Sequence, residues 1–182
     1  MEFRILYLLQ ELHTPLVDGL MAFVTSLGDH GIFWIILAVI LAAVPKTRVM
    51  GICMLVSIAA GFLIGNVVLK NLNARDRPCW IDPAEQLLVQ IPLDYSFPSG
   101  HTLVSFEGAV TIFLFNRKWG IPALMLAVLI GFSRMYLFVH FPTDVLAGMA
   151  LGIMIAWCVA RTARSLGAVR VQKKGAQEMT KD

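Results

Sequence analysis

Two histidines, three cations, a serine, a glycine and an aspartate fall in three short stretches of this chain, a set of side chains suited to gripping and transferring a phosphate. The stretches are Lys70–Pro78, Pro98–His101 and Ser133–Asp144. Lys70, Arg77 and Arg134 supply positive charge, Ser99 and the Gly100 backbone supply uncharged donors, and His101, His140 and Asp144 supply groups that move protons or attack. The sequence around them is apolar. Ionisable groups at membrane depth are costly and mark function more often than packing.

Leading into and through the first stretch, Asn66, Lys70, Asn73 and Arg77 are spaced i, i+4, i+7, i+11, which predicts one polar stripe on a helix that Pro78 then stops. A stripe ending in two cations suits an anionic headgroup. Lys70 alone would be read as a lysine snorkelling to the interface; its neighbours on the same face favour a site. Pro98-Ser99-Gly100-His101 reads as a helix start with Ser99 at the N-cap. The free N–H groups of Gly100 and His101 would then face an anion, and glycine permits a close approach. In the third stretch one helix ends at Ser133 and Arg134 and another begins at Pro142. His140 precedes that start and Asp144 lies in its first turn, so the carboxylate can reach an imidazole nitrogen and fix the tautomer. Asp144 can equally serve the helix dipole, and both roles can hold together.

The elements that must position these groups are membrane helices. Of 182 residues, 58% are hydrophobic and 15% charged, with a mean hydropathy of +0.74, against roughly 45–50% and about 25% in soluble chains. Apolar runs cover Gly31–Val44, Val49–Leu69, Thr102–Phe115, Ile121–Phe132 and Val145–Ala160. With their polar flanks these approach the roughly 20 residues a spanning helix needs. The expected fold is an all-α polytopic bundle of about five transmembrane helices, with two short N-terminal helices at the interface, broken at Pro15. A sixth span results if the N-terminal segment crosses. One transmembrane domain is expected over residues 29–165, after an interfacial segment 1–28 and before a basic tail 166–182. Cys53 and Cys158 are expected to pack inside helices, and Cys79 to be accessible. No metal-ligand spacing is present, no cofactor is implied, and the expected partners are the bilayer and a lipid phosphate rather than nucleic acid.

Basic residues cluster at Lys46/Arg48, Arg117/Lys118 and in the tail from Arg161 to Lys181. Alternating spans put all of them on one side, so the positive-inside rule makes that side cytoplasmic and the motif ends extracytoplasmic. The polar connection Cys79–Phe97 is expected to cover the motifs as a partial lid. Gly61/Gly65 and Gly148/Gly152 have small-xxx-small spacing for close helix packing. Glu107 points about 120° away from His101 around its helix and is read as a packing residue, with a place in a headgroup cavity as the alternative.

The pattern Lys-x6-Arg-Pro, Pro-Ser-Gly-His, Ser-Arg-x5-His-x3-Asp resembles that of the type-2 phosphatidic acid phosphatase superfamily, and beyond the motifs the chain is similar to its small bacterial membrane members. The resemblance implies a lipid phosphatase of the bacterial cytoplasmic membrane that needs no metal. His140 would attack phosphorus to give a phosphohistidine, with Asp144 orienting it, and His101 would protonate the leaving oxygen. Lys70, Arg77, Ser99, Gly100 and Arg134 would hold the phosphate oxygens, with Asn66 and Asn73 as a headgroup stripe. Undecaprenyl diphosphate is the substrate the resemblance favours; phosphatidylglycerophosphate, phosphatidate and diacylglycerol pyrophosphate stay open. A non-catalytic lipid-headgroup binder or transporter is the reading from another class. Binding alone would need only the cations, so the intact His101, His140 and Asp144 argue against it.

Overall fold

Local chemistry sets the helix boundaries in the computed structural model, which describes residues 1–83 and 87–167. Helix α1 (Glu2–Gln10) and α2 (Pro15–Ser26) are separate, as the proline predicts; Thr14 caps α2 by accepting the Val17 N–H at 3.4 Å. A short turn at Asp29–Gly31 leads into α3 (Ile32–Ala43), and α4 (Arg48–Gly61) returns antiparallel to it. The same rod continues as a π-helical stretch, Phe62–Leu69, and a last α-turn, α5 (Lys70–Asn73). Local widening of this kind is frequent where a helix serves a site. After a single turn, α6 (Pro78–Ile81), and the loop that follows it come α7 (Gly100–Phe115), α8 (Arg117–Tyr136) and α9 (Pro142–Ser165). Regular structure among the described residues is all helical.

Helix α7 is the centre of the bundle. Ten of its residues are buried, and Phe106 and Ala109 meet Trp34, Met54, Ile130 and Ala156 from α3, α4, α8 and α9. The Trp34 indole donates to Ser105 Oγ at 3.1 Å, so the one polar edge of that ring is satisfied. Helices α7 and α9 approach backbone to backbone. A Cβ on Gly148 would stand 2.6 Å from the Ser99 carbonyl oxygen, and one on Gly152 would stand 2.7 Å from that of Leu103. Small residues allow such contact where lipid removes the hydrophobic drive between helices. This contact brings the start of α9, with Asp144, against the start of α7.

Large apolar side chains cover the outside: Ile36 and Ile40 on α3, Phe62 and Leu63 on the π-helical stretch, Met154 and Trp157 on α9. Three stretches are long and apolar enough to cross a membrane, Arg48–Ile81, Arg117–Tyr136 and Pro142–Ser165. A fourth is the pair Pro15–Ser26 and Asp29–Ala43, bent by 41°, and α7 is apolar but 16 residues long. The protein is an integral membrane protein with an all-helical fold. Helices α2 and α3 meet at a bend of 41°, and by length and apolarity the pair suits either a broken span, the crossing alternative for the N-terminal segment, or a re-entrant loop.

Two sequence expectations fail here. The helix carrying Lys70 does not run on to Pro78: Ala74 turns left-handed (φ 44, ψ 40), and Arg77 is the N-cap of α6 with Pro78 at its first position. The four-residue stripe is therefore broken. Of the cysteines, Cys79 is buried under α1 and α8 while Cys158 is exposed on α9, the reverse of the expected accessibility. Most of the basic tail, from residue 168, lies outside the described residues. Within them, Arg161 and Arg164 stand by the end of α7, where Arg164 donates to the Leu114 carbonyl, opposite the end that holds the motifs.

Candidate active site

Two helix N-termini, of α7 and α9, and two helix C-termini, of α5 and α8, meet at one end of the bundle. The N-termini favour an anion between them. A cavity of about 1120 Å³ opens there, walled by Lys70, Arg77, Gly100, His101, Arg134 and His140 from all three sequence motifs. It continues inward past Leu55, Ile58 and Leu103 to Glu107. From His101 to Glu107 is six residues of helix, a depth of about 9 Å. A charged mouth and an apolar body suit a phosphate on a lipid chain.

His140 sits in the turn between α8 and α9, 1% exposed. Arg77 donates from one NH1 to the Val139 carbonyl at 2.8 Å and lies 3.0 Å from His140 Nε2. A guanidinium can only donate, so the Nε2 lone pair accepts from Arg77 and the ring proton is on Nδ1; both side chains line the cavity. Nδ1 faces Ser96 Oγ at 3.3 Å, and that hydroxyl donates to Asp144 Oδ2 at 2.5 Å. The carboxylate itself is 3.7 Å from Nδ1, beyond direct bonding. Burial, followed by the Arg77, Arg134 and Lys70 charges, pushes the His140 imidazole well below its ordinary pKa. Burial and these cations favour the neutral ring, whose Nε2 lone pair is held by Arg77.

Asp144 is fully buried and multiply bonded. Its Oδ2 also accepts the Phe141 N–H at 2.8 Å, which caps α9, and its Oδ1 accepts Arg75 NH1 at 2.7 Å. Asp144 thus caps α9 directly, but the expected direct bond to the histidine is replaced by a link through Ser96.

His101 lies on the first turn of α7, its Nε2 2.8 Å from Asp29 Oδ1. Arg134 donates from NH1 to Thr25 Oγ1 at 2.7 Å, which aims its guanidinium. Arg134 Nε, Asn66 Oδ1 and Glu107 Oε1 are buried and have no protein partner among the described residues, and all three residues line the cavity. Above them Asp94, on the loop between α6 and α7, binds both cations of the first motif. It pairs with Lys70 Nζ through Oδ2 and with Arg77 NH2 through Oδ1 at 2.7 Å. Burial alone would raise the Asp94 carboxyl, but these two cations outweigh it and hold its pKa at about 2.

The structure thus gathers Lys70, Arg77, Gly100, His101, Arg134, His140 and Asn66 around one space. Ser99 is at the N-cap of α7, but its hydroxyl accepts from Thr102 Oγ1 at 2.9 Å and does not line the cavity. Asn73 is exposed and apart from the cavity, a consequence of the early end of α5. Glu107 is buried and also belongs to the cavity wall, so the alternative place in the cavity stands beside the packing reading. Its carboxyl fits against Gly61, where a side chain would overlap it. Asp29, Arg75, Asp94, Ser96 and Thr25 were not singled out from the sequence. Arg75 and Asp94 flank motif residues or lie in the expected lid; Asp29 and Thr25 carry no sequence signal.

Residues 50–167 match the PAP2 superfamily. An undecaprenyl-diphosphatase of Sulfolobus acidocaldarius is 38% identical over 142 residues, 78% of this chain and 68% of that protein. Phosphatidylglycerophosphatase B of Bacillus subtilis is 30% identical over 158 residues, 80% of this chain and 74% of that one. Among solved structures, a transmembrane PAP2-type phosphatidylglycerolphosphate phosphatase from Bacillus subtilis superposes with a TM-score of 0.74 at 28% identity, covering 89% of this chain and 84% of that one.

Proposed function

The chain belongs to the PAP2 superfamily and is a membrane lipid phosphatase; within that class we propose that it removes the terminal phosphate of a polyprenyl diphosphate, undecaprenyl diphosphate first, through a phosphohistidine at His140. One observation carries the chemistry: His140 presents an unprotonated Nε2 to a cavity ringed by Lys70, Arg77 and Arg134, with Nδ1–H tied through Ser96 to Asp144. Nε2 attacks phosphorus, and the bond from phosphorus to the bridging oxygen breaks. His101 gives a proton to that oxygen, and the lipid leaves as a monophosphate. His101 then takes a proton from water as the water attacks phosphorus and the P–N bond breaks, which frees inorganic phosphate and restores His140. The three cations and the Gly100 amide balance the charge on the equatorial oxygens. Asp144 balances the imidazolium.

The substrate assignment rests on the apolar body of the cavity and on the relatives. One relative's name gives undecaprenyl diphosphate and another's gives phosphatidylglycerophosphate. The basic ends opposite the motifs support a site on the extracytoplasmic face. Every step is assigned to side chains and backbone, so it proceeds without a metal. Phosphate release from undecaprenyl diphosphate, phosphatidylglycerophosphate, phosphatidate and diacylglycerol pyrophosphate in detergent, with EDTA present, tests the proposal. The highest kcat/KM should fall on undecaprenyl diphosphate. A higher value on phosphatidylglycerophosphate would replace the substrate, and activity that EDTA removes and a divalent ion restores would replace the mechanism.

A further inference from the structure

The Asp144 carboxylate is held on both sides, and one side leads out of the site to the beginning of the chain. Its Oδ2 faces Ser96 and the Phe141 N–H, while its Oδ1 has Arg75, the one Arg or Lys paired with it among the described residues. Arg75 has little freedom of its own. NH1 also donates to Thr143 Oγ1 at 2.7 Å, NH2 donates to Glu2 Oε2 at 2.6 Å, and the guanidinium lies 4.1 Å above the Phe141 ring. Glu2 closes the ring of bonds: its Oε1 accepts the Thr143 N–H at 3.2 Å and the Thr143 hydroxyl at 2.6 Å. An acid from α1 therefore stands at the first turn of α9, beside that helix's own capping Asp144. Helix α1 is in turn fixed in place. Leu6 is fully buried, and Phe3 sets its edge on Phe141 at 5.2 Å.

We propose that Arg75 and Glu2 are positioning residues for the Asp144 carboxylate, so that helix α1 is a working part of the catalytic centre. The inference rests on the reading of His140 as nucleophile. As the phosphohistidine forms, His140 becomes cationic and its Nδ1–H must keep its line through Ser96 to Asp144. Rotation of the carboxylate about its Cβ–Cγ bond would break that line. A guanidinium on the opposite oxygen, itself locked by Glu2 and Thr143, prevents the rotation. Charge-assisted paired bonds of this kind fix geometry as well as adding attraction. Neither Arg75 nor Glu2 lines the cavity, so neither touches the substrate phosphate.

The test is a double-mutant cycle on the full chain in detergent, reading kcat and KM separately, with thermal unfolding of every variant recorded. Arg75→Gln should lower kcat roughly thirtyfold with KM within about twofold, and Glu2→Gln should lower it about fivefold. In the Arg75→Gln background, Glu2→Gln should cost less than about twofold more, because the link it supports is already gone. Arg75→Lys keeps a charge on Asp144 and should recover kcat to within about tenfold of the unmodified protein. Gln10→Ala loosens the other end of α1, where Gln10 donates to the Tyr136 carbonyl at 3.0 Å, and should leave kcat unchanged. Should Arg75→Gln fail to fold, Glu2→Gln alone against Gln10→Ala decides. Losses that multiply independently, a change confined to KM, or an equal loss in Gln10→Ala would each overturn the proposal. Trapping of labelled phosphate separates the two layers. A labelled His140 with no Glu2–Arg75 coupling rejects the positioning role alone, whereas coupling without any phosphohistidine rejects the nucleophile and leaves the positioning of Asp144 standing.

Discussion

Removing one hydroxyl should separate chemistry from binding. Ser96 is fully buried; its Oγ accepts from His140 Nδ1 at 3.3 Å and donates to Asp144 at 2.5 Å, and it does not line the cavity. Its backbone N–H donates to the Arg75 carbonyl at 2.8 Å, a bond that alanine keeps. In Ser96→Ala the Nδ1–H is left facing a carboxylate 3.7 Å away. A buried donor left without an acceptor costs about 1–3 kcal/mol, more when it carries charge. In the proposed mechanism the ring is neutral before attack and cationic after it, so most of this cost should fall on the transition state. At about 1.4 kcal/mol per factor of ten, kcat should fall roughly tenfold to a hundredfold. KM should stay within about twofold, because the phosphate contacts are intact. The assay is phosphate release from a short-chain lipid phosphate in mixed micelles across a range of surface concentrations, with unfolding temperatures to show an intact fold. An unchanged kcat would mean that Asp144 reaches His140 without the bridge. A change in KM alone would place Ser96 among the binding groups and refute the relay.

Three further outcomes follow from the same geometry. Arg134→Lys keeps the charge but loses the Nε–H aimed into the cavity and the bond to Thr25, so turnover should drop at least about tenfold; activity near normal would make Arg134 structural. Asp94→Asn frees Lys70 and Arg77 for phosphate, and inhibition by orthovanadate should tighten by up to about fivefold, the scale of a partly exposed ion pair; weaker inhibition would show that Asp94 organises the cations instead. The Asp94 carboxyl, held at about 2, is charged well above that pH. That gain should therefore be the same from about pH 5 to pH 8, because a depressed acid loses its charge only below that window, and a gain that fades toward pH 5 would contradict the assignment.

The seven cavity-lining residues read from the sequence share a reason for being legible. Each either belongs to a motif of fixed local spacing or, like Asn66, sits one helical turn from one. What escaped was set by contacts between distant segments. Ser96 and Arg75 reach Asp144 across 48 and 69 residues, and Asp29 reaches His101 across 72. A serine, an arginine and an aspartate at such separations look like any others. The stripe from Asn66 to Arg77 misled for a local reason: proline usually stops the helix before it, but here Ala74 had already ended α5 in a left-handed turn, without a glycine to announce it. Angle around α7 alone could not decide between the two readings of Glu107. The cavity reaches as far as Glu107, and Gly61 opposite leaves room for the carboxyl. The apolar runs gave the helices well, since burial and lipid demand the same residues. They could not show that α7 is the central helix, enclosed by the others.

The proposed chemistry depends on His140 carrying the phosphate. Rapid quenching of His101→Ala with a phosphorus-labelled aryl phosphate tests it most directly, since that leaving group needs no acid while hydrolysis of the intermediate lacks its base. A burst of phenol is expected, with acid-labile label on the protein that maps to His140, and no label when His140→Ala is added. Label that persists in the His140 variant, or turnover in single-cycle conditions with no labelled protein at any time, would contradict it.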